Sequence, residues 1–528
     1  MTTKREFDFI LRNGRVYDGA GNPWRNADVG LKGKRISRIG PLSASSANRV
    51  IDCTGLVVCP GFIDMHSHSD LMIFSEPEAS AKVMQGVTTE VLGQDGQSVA
   101  PIKDKDKSNW RRHLSGLLGD PEVEWTWNAF DEYLSALEKA RPTTNLVSLV
   151  PHGSLRLWVM GMENRKPTDG EMKKMARLLR ESLEAGAAGM STGLIYPPCP
   201  YADVNELAEF CKVLRKHGKF FVVHIRSEDA ELMESLDEMV EVARLSGAPV
   251  HISHLKVAGK PQYGRAGELL ERIDAARAEG LEITFDQHPY TAGSTMLFAL
   301  LPQWLQEGGS DKMLERLTSA EIRQQIMEEM ASRTSTSGIG LTDIIVSSVK
   351  SEKNKYLEGK NLFEVAEAMD RPFVDAVCDL LVEEDLNVSM IIFLSDEADV
   401  KTILKHPAGT ICTDGLLGGK PHPRAYGTFP RVLGRYCRDE NVLDLAEAIR
   451  KITSAGAQRL GLADRGLLKE GFCADVVAFN PKTIIDTSTY ENPRLFPTGI
   501  EHVFINGKHV ASSGKQIGAK TGKILRIP

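Results

Sequence analysis

The chain has 528 residues, of which 42% are hydrophobic and 26% charged, and its formal net charge at pH 7 is -7. This length predicts two or three structural units rather than one core, and the acidic balance argues against a nucleic-acid-binding surface. No run of 18 apolar residues is present, so neither a transmembrane helix nor a membrane partner is expected.

Both ends of the sequence are predicted to be β-rich. Residues 1–58 contain short apolar runs with hairpin-type turn signals at Asn13, followed by glycine, and at Lys32, also followed by glycine. The same pattern of short apolar runs separated by turn residues recurs in GIEHVFINGKHVASSG, which has an Asn-Gly pair at Asn506. We therefore expect one small β-sandwich domain assembled from residues 1–58 and 463–528.

The middle of the chain alternates apolar strands with amphipathic helical patterns. The strand candidates are too continuously apolar for a sheet with one face in water, which indicates parallel strands covered by helices. They are LVVCPGFIDMHSH, VTTEVLGQDG, LVSLVPHGS, AAGMSTGLIYPP, KFFVVHIRSE, APVHISHLK, LEITFDQHPY and AGTICTDG. Eight such units predict an α/β protein with a closed (β/α)8 barrel over residues 59–462.

One connection in this predicted barrel is far longer than the others. About residues 300–405 separate the seventh strand from the eighth and contain the helical patterns EIRQQIMEEMASR, NLFEVAEAMD and FVDAVCDLLVEED. Long connections inside a compact domain are uncommon unless they have a function. We expect a helical insertion, either a subdomain or a lid, before the last barrel strand.

The first barrel strand ends in two histidines. In CPGFIDMHSHSD, His66 and His68 stand two positions apart, and side chains two apart on a strand point to the same side. Two neutral imidazoles placed in this way can bind zinc or a related metal. Two surface histidines in a turn would have the same spacing, so the remaining ligands decide between these interpretations.

Further polar residues follow the ends of other predicted strands, where the chemistry of (β/α)8 enzymes takes place. They are Asp95, His152, Tyr196, His224, His254, Tyr290 and Asp414. Together with the first two histidines, they supply imidazole and carboxylate without thiolate, which suits a catalytic divalent ion with open coordination positions. The sequence therefore predicts a metal centre at the carboxyl ends of the strands.

The motifs PGFIDMHSHSD, HIRSE, ISHLK, TDG and HPRAYGTFPRVLG together resemble the amidohydrolase superfamily and, within it, the N-acyl-D-amino-acid deacylases, or D-aminoacylases. The first motif identifies only the superfamily, whereas HPRAYGTFPRVLG with STGLIYPP is much more selective. The resemblance covers nearly the whole chain. It implies a metal-dependent hydrolase that cleaves the amide bond of an N-acyl-D-amino acid to a carboxylate and a free D-amino acid.

The resemblance also implies roles for the metal-binding residues. His66 and His68 would hold the more buried metal site together with Asp414, and His224 and His254 would hold the more exposed site. Asp414 would act as the general base that takes a proton from the metal-activated water and passes it to the leaving amine. The cofactor would be one or two zinc ions, with manganese or cobalt as alternatives.

Substrate recognition is implied in the same way. Arg424 in HPRAY matches the family's arginine for the substrate α-carboxylate, a task that suits a planar guanidinium. The other substrate-binding candidates are Tyr196, Tyr290, Lys256 and Ser294, with Thr295 as the neighbour of the last.

The sequence departs from the family pattern at Asp95. The deacylases typically have a cysteine in a Gly-Asn-Cys-Gly turn after the second strand, whereas the turn here is GQDG. We expect Asp95 to bind or bridge the metals, because a carboxylate has two oxygens; an ordinary turn residue between glycines is the alternative. Loss of the soft ligand weakens any preference for zinc over manganese or cobalt.

Two other functions stay open at this point. One is an amidohydrolase acting on a cyclic amide or a dipeptide, similar to dihydropyrimidinase or isoaspartyl dipeptidase, although the bridging lysine of the fourth strand is missing from AAGMSTGLIYPP. The other is a non-catalytic scaffold, which would be expected to lose metal ligands. The start MTTKREFDFI lacks the apolar core of a signal peptide, and the eight cysteines form no CxxC pair, so we expect a cytoplasmic protein with reduced thiols.

Overall fold

The computed structural model describes residues 5–518 and 520–528, with the side chains of residues 332–335 left out of the description. The strands in chain order are β1 (Phe7–Val16), β2 (Arg25–Lys32), β3 (Arg35–Gly40), β4 (Ala47–Asp52), β5 (Val57–Pro60), β6 (Phe62–Asp64), β7 (Val87–Leu92), β8 (Asn145–Ser148), β9 (Val150–Pro151), β10 (Gly189–Gly193), β11 (Phe220–His224), β12 (Val250–Ile252), β13 (Ile283–Gln287), β14 (Ala292–Met296), β15 (Ile344–Val349), β16 (Val388–Phe393), β17 (Gly409–Ile411), β18 (Val476–Phe479), β19 (Ile500–Ile505), β20 (Lys508–Ser512) and β21 (Lys515–Gln516).

The α-helices in chain order are α1 (Met72–Ser75), α2 (Ser80–Val83), α3 (Lys107–Leu118), α4 (Phe130–Ala140), α5 (His152–Met160), α6 (Asp169–Glu184), α7 (Val204–Lys216), α8 (Leu232–Ser246), α9 (Ala266–Ala278), α10 (Ser310–Leu317), α11 (Ala320–Ser337), α12 (Leu362–Met369), α13 (Phe373–Glu383), α14 (Glu397–Lys405), α15 (Arg424–Arg431), α16 (Leu445–Ile452) and α17 (Ser454–Leu460). Within the described part of the chain, none of them combines the length and the apolar character that crossing a membrane requires.

A nine-stranded sheet is built from both ends of the chain. Its order is β21-β20-β19-β18-β5-β1-β2-β3, and β4 pairs in parallel with β1. β18 pairs antiparallel with β5, with Val477 opposite Cys59, so strands more than 400 residues apart in the chain are direct neighbours. The predicted turns after Lys32 and at Asn506 connect β2 to β3 and β19 to β20, and Asn506 has the positive φ of 51° that such a turn favours.

The hairpin predicted at Asn13 is wrong. β1 continues through this residue, which has a φ of 62°, and the register with β2 shifts between Leu11 and Gly14. An Asn-Gly pair supplies the same positive-φ conformation to a bulge inside a strand as to a turn between strands. The bulge lies where β1 changes its parallel partner from β4 to β5, which is information that the local sequence does not contain.

The eight segments predicted as barrel strands each contain a strand. Six form a parallel sheet in the order β17-β13-β12-β11-β10-β9, and β6, β7 and β8 form a second parallel sheet. Only Leu149 separates β8 from β9, and its N–H donates to Leu92 O at 2.9 Å. At the other edges, Ser67 and Gly415 form a parallel bridge between the segments that follow β6 and β17. All these strands therefore direct their carboxyl ends to the same side of the molecule.

The helices predicted between these strands are present as α6, α7, α8 and α9. Local signals start two of them: the Thr168 hydroxyl accepts from Glu171 N–H, and the Asp203 carboxylate accepts from Glu206 N–H. Every residue of β7, β10 and β11 is buried, which explains why their sequences lack the alternation of a one-sided sheet.

The insertion predicted to be helical also contains strands. Helices α10 to α14 confirm its helical patterns, but β15 and β16 form an antiparallel sheet with β14 in the order β14-β16-β15. Their sequences, IIVSSV and VSMIIF, are short and rich in β-branched residues. Such short apolar runs do not by themselves separate a strand from a buried helix segment, and the strand partner β14 lies outside the predicted insertion.

A buried ion pair connects the strands beneath the carboxyl ends. Lys82 Nζ lies 2.6 Å from Asp64 Oδ2 and donates to Thr413 Oγ1 at 2.6 Å, while Asp64 Oδ1 accepts from Thr413 N–H at 2.8 Å. Lys82 and Asp64 are almost completely buried. This network joins β6 to the residues that follow β17, and removal of one partner would leave the other charge uncompensated in the interior.

We expect Lys82→Met to lower the free energy of unfolding by about 3–5 kcal/mol, the usual cost of a broken buried pair. Urea unfolding followed by tryptophan fluorescence measures this loss. The matched control is the double variant Asp64→Asn/Lys82→Met, which removes both charges and should recover a large part of it. A single variant as stable as the wild type would show that the pair does not support the fold.

Candidate active site

A cavity of about 460 Å³ opens at the carboxyl ends of the parallel strands. Ten residues that the sequence singled out line it: His68, Asp95, Tyr196, His224, His254, Lys256, Ser294, Thr295, Asp414 and Arg424. His66 is completely buried beneath them. Residues from the insertion form much of the opposite wall, so the long connection between β13 and β17 covers the strand ends.

The two histidines after β6 lie on one side of their segment, as the spacing predicts. His66 Nε2 and His68 Nε2 are 3.2 Å apart, while the intervening Ser67 and the following Ser69 both donate hydrogen bonds to the buried Glu90 carboxylate, at 2.9 and 2.8 Å. The alternation of an extended chain thus places imidazoles on the cavity side and hydroxyls on the other. The two hydroxyls anchor to Glu90 the segment that carries both histidines.

Two carboxylates approach this pair of imidazoles. Asp95 Oδ2 lies 3.5 Å from His66 Nε2 and 3.6 Å from His68 Nε2. Asp414 Oδ1 lies 3.6 and 3.2 Å from the same two nitrogens. The structure therefore brings the carboxyl ends of β6, β7 and β17 to one point.

Asp95 also faces the second pair of histidines. Its Oδ1 atom lies 3.8 Å from His254 Nε2, which in turn is 2.9 Å from His224 Nδ1. The two oxygens of one carboxylate thus point toward two different histidine pairs. Asp95 is common to both groups of potential ligands, His66–His68–Asp95 and Asp95–His224–His254, and within each group the ligand atoms lie within 4.8 Å of one another.

This set of side chains fits a divalent metal ion. Imidazole nitrogens and carboxylate oxygens are the ligands of zinc, and the absence of thiolate from the set also suits manganese or cobalt. Asp95 Oδ1 is buried without a hydrogen-bond partner among the described residues. A buried acceptor of this kind is costly unless a cation or donor satisfies it, so the site fits the metal that the sequence predicts.

The charged side chains of the cluster shift one another's pKa values. Burial would raise the pKa of the Asp414 carboxyl, but Arg424, His254 and His66 more than offset this effect and hold its pKa well below the usual range. Burial and Lys256 lower the pKa of His254, whereas Asp414, Glu228 and Asp95 raise it to about 10.

Three residues of the cluster have a left-handed backbone conformation. The φ angles are 57° for Asp95, 34° for His254 and 47° for Asp414, values that are uncommon for residues other than glycine. Such conformations concentrate at functional sites, where the surrounding structure imposes them. In the GQDG turn a Cβ on Gly93 would lie 2.3 Å from Leu149 O, so glycine is required there by space as well as by φ.

Arg424 lies at the floor of the cavity beside Asp414. Its Nη1 atom is 2.9 Å from Asp414 Oδ2, and its Nη2 donates to Ser294 O at 3.0 Å. The side chain is completely buried, and its Nε has no hydrogen-bond partner among the described residues. A guanidinium with a free donor next to the cluster is suited to an additional anion.

The polar atoms of the substrate-binding candidates Tyr196, Ser294 and Lys256 already have partners within the protein. Tyr196 OH and Thr295 Oγ1 are 2.9 Å apart at the cavity wall. Ser294 donates its hydroxyl proton to Met390 O at 2.7 Å, so its backbone oxygen, bonded to Arg424, is the atom in contact with the cluster. Lys256 Nζ lies 2.5 Å from Glu228 Oε1 and 2.7 Å from His254 Nδ1.

The structure does not bring Tyr290 to the cavity. Its ring packs beneath the Arg431 guanidinium, 4.5 Å from the ring centroid, and lies 5.1 Å from the ring of His422. Tyr290 is not among the described residues that line the cavity, and its contact with substrate stays a prediction. Three residues after the end of β13, a side chain can point into the cavity or away from it. The Tyr290 side chain points toward α15, where it contacts Arg431.

His152 is not part of the cluster either. It begins α5, and its two ring nitrogens lie 2.9 Å from Thr192 Oγ1 and 3.0 Å from Glu206 Oε1. It therefore joins helices to β10 in the interior, although its position after β9 resembles that of a site residue. His251 on β12 is also outside the cluster, and its Nε2 lies 3.0 Å from Asp286 Oδ2.

Two carboxylates of the site were not predicted. Glu228 Oε1 lies 3.1 Å from His254 Nδ1, and its Oε2 lies 3.9 Å from His224 Nε2. Asp286 accepts a hydrogen bond from His254 N–H at 2.6 Å and thereby holds its unusual backbone. The motif HIRSE contained a signal for the first, since its glutamate follows a candidate ligand by four residues on the same loop.

Comparison with known proteins agrees with this geometry. A sequence model described as "Amidohydrolase family" matches residues 49–511. The D-aminoacylase of Alcaligenes xylosoxydans xylosoxydans is 37% identical over 526 residues, covering 99% of each chain. The crystal structure of the N-acyl-D-glutamate deacylase of Bordetella bronchiseptica, in complex with zinc and a phosphonate inhibitor that mimics the tetrahedral intermediate, has a TM-score of 0.84 at 33% identity and covers 98% of this chain and 99% of that chain. Dihydropyrimidinase of Brevibacillus agri matches 98% of both chains with a TM-score of 0.57 at 14% identity, which shows a shared fold alone.

Proposed function

This chain belongs to the amidohydrolase family, and we propose that it is a metal-dependent enzyme that hydrolyses the amide bond of N-acyl-D-amino acids to a carboxylate and a free D-amino acid. The observation that carries the proposal is the position of Asp95 between two histidine pairs, directly beside Asp414 and Arg424. The D configuration of the substrate rests on the relatives.

The residues that would hold metal divide into two sets. His66, His68 and Asp414 would hold one divalent ion and His224 with His254 a second, with Asp95 shared between them. Zinc, or manganese or cobalt in its place, would polarise the amide carbonyl and acidify a water molecule.

Asp414 is the general base in this proposal. Arg424, His254 and His66 outweigh the effect of burial and hold the pKa of its carboxyl well below the usual range. One of its oxygens faces His68 and the other faces Arg424. It takes the proton of the attacking water and returns it to the nitrogen of the leaving amine, because an amine leaves more readily than its anion. Asp414 lines the cavity beside Arg424, where a substrate bound to that arginine would lie next to it.

Arg424 binds the α-carboxylate of the substrate. Its Nε has no hydrogen-bond partner among the described residues, and a guanidinium with a free donor beside the cluster is suited to a carboxylate. The hydroxyl of Tyr196, beside Thr295, orients the polar part of the substrate from the opposite wall. Lys256 acts through Glu228, whose carboxylate it contacts.

The two parallel sheets are best interpreted as one closed (β/α)8 barrel over residues 59–462. The parallel bridge between Ser67 and Gly415 and the continuity of β8 with β9 support this closure. We interpret the nine-stranded sheet as a small β-sandwich formed by residues 1–58 and 463–528, and about 300–405 as an insertion into the barrel. The eight unpaired cysteines, all buried, support the proposal of a reducing cytoplasmic location.

The alternatives have less support. A cyclic-amide hydrolase or isoaspartyl dipeptidase of the lysine-bridged type would need a lysine at the end of the fourth strand, and the described β10 has the sequence GMSTG. A non-catalytic scaffold would not need the six converging ligands of the cavity.

The direct test is to incubate the metal-loaded protein with paired D and L N-acetyl amino acids and to measure released amine. Release from the D compounds, absent after chelation of the metal and restored by its return, is the expected result. Hydrolysis of dihydrouracil or a hydantoin without any release from N-acyl amino acids would show that the cyclic-amide alternative is correct.

We expect Glu228→Gln to weaken metal binding at the His224–His254 site by about 10–100-fold, because its carboxylate faces both imidazoles and such partners fix the orientation and basicity of a metal-binding histidine. Metal titration of the metal-free protein measures the affinity. Glu234→Gln, an exposed change on α8, is the matched control. Equal affinities in the two variants would remove Glu228 from the site.

A further inference from the structure

The cavity wall opposite the metal cluster is apolar. Its side chains come mainly from the insertion and from the sheet that β14 forms with it: Leu341, Phe373, Met390, Ile392 and Leu394. Ile195, from outside the insertion, also lines the cavity. A substrate whose carboxylate lies at Arg424 and whose amide lies at the cluster must place its remaining groups along this wall. Burial of an apolar group there is favourable, at about 25 cal/mol per Å² of covered surface.

The basic side chains of the cavity are already in contact with carboxylates. Besides Arg424, the described lining residues include two, Arg226 and Lys256. Arg226 Nη2 and Nε lie 2.9 and 3.1 Å from Glu238, and two of its nitrogens also donate to backbone oxygens of residues 200 and 202. Lys256 Nζ lies 2.5 Å from Glu228. Neither of them is left without a carboxylate partner.

The cavity lining also contains further negative charge. Asp229 and Glu231 both line the cavity next to Glu228. Asp229 Oδ1 accepts hydrogen bonds from Ser227 Oγ and Ala230 N–H, so neutral groups rather than a basic side chain satisfy it. A second carboxylate on the substrate would meet like charge beside these residues and apolar surface beside the insertion.

We infer that the substrates of this chain are N-acyl derivatives of neutral, apolar D-amino acids, and that the cavity rejects D-aspartate and D-glutamate derivatives. The inference rests on the proposed function and specifies its substrate class. A carboxylate in the side-chain position lacks a basic partner among the described lining residues, and an unpaired charge is costly to remove from water. An apolar side chain of the same size has no such cost.

The test compares kcat/KM for the N-acetyl derivatives of D-methionine, D-glutamine, D-glutamate and D-lysine. The first three side chains are of similar size, so methionine against glutamine measures polarity, and glutamine against glutamate measures charge. We expect methionine to be the best substrate and glutamate to be at least about 100-fold poorer. Glutamate within threefold of methionine, or lysine above both, would overturn the inference. Turnover of none of the four would overturn the proposed function, and the inference with it.

A charge-introducing variant checks the wall itself. Ile392→Lys places a cation on the half-buried part of β16 that lines the cavity, and we expect it to raise the glutamate-to-methionine ratio of kcat/KM by at least tenfold. Phe363→Lys, at an exposed position of the same insertion, should leave the ratio unchanged. Arg333, whose side chain lies outside the described part, is tested by Arg333→Ala: a fall in glutamate turnover alone would identify it as an acidic-substrate contact and contradict the inference.

Discussion

Asp414→Asn is expected to lower kcat by about 10²–10⁴-fold, the usual contribution of a general base, while the fold and most of the bound metal are retained. The amide of asparagine keeps one oxygen toward His66 and His68 but cannot accept a proton. Asparagine also tolerates the positive φ of this residue, so the backbone of the site should not change. The measurement combines amine release with metal analysis and circular dichroism of the same preparation.

The control for this variant is Asp286→Asn, a carboxylate that contacts the backbone of His254 and not the cavity. It should perturb metal binding more than proton transfer, so its activity should recover at high metal concentration. Activity of Asp414→Asn within threefold of the wild type would exclude Asp414 as the base. Activity that returns when metal is added in excess would assign it a ligand role only.

Changes at Asp95 are expected to have the second largest effect, because one carboxylate faces both histidine pairs. Asp95→Ala should lower metal content and activity together, by more than the 10–100-fold that loss of an outer carboxylate typically causes. His66→Ala should affect mainly the first site. Asp95→Cys restores the sulfur that is usual in this family and should recover zinc binding with a shift in metal preference, since thiolate is softer than carboxylate.

Asp95→Asn separates a metal ligand from an ordinary turn residue. Asparagine accommodates the φ of 57° as well as aspartate does, whereas alanine does not, so a purely conformational role predicts a functional asparagine variant. A ligand role predicts that asparagine is nearly as damaging as alanine, because it offers one neutral oxygen to two sites. Metal per chain and amine release decide between these outcomes.

Local sequence predicted the elements well because the signals were local. The periodicity of α6 to α9 is produced by burial on one face, and the lack of polar–apolar alternation in β7, β10 and β11 is produced by burial on both faces. Since parallel strands end on one side, the positions of His66, Asp95, His224, His254 and Asp414 after five of them were sufficient to predict their convergence.

What sequence did not predict depends on partners that are distant in the chain. Asn13 forms a bulge because β1 meets two successive neighbours, and the strands of the insertion exist because β14 is available to pair with them. The Tyr290 side chain packs against Arg431, which is 141 residues later in the sequence. Glu228 was not predicted as a site residue because a glutamate after a strand is common. Only its short distance to His254 in the folded chain, 3.1 Å between Oε1 and Nδ1, identifies it as part of the site.

The pairing of β5 with β18 has a consequence for the order in which the protein is made. During translation the amino-terminal strands leave the ribosome long before β18 exists, and their edge at β5 stays unsatisfied until more than 400 further residues have been added. Exposed strand edges and delayed long-range contacts favour aggregation of nascent chains. Arginines on these strands, such as Arg12, Arg38 and Arg49, keep the unpaired amino-terminal segment soluble during this interval. Slower synthesis of the chain lengthens the interval during which a chaperone is needed.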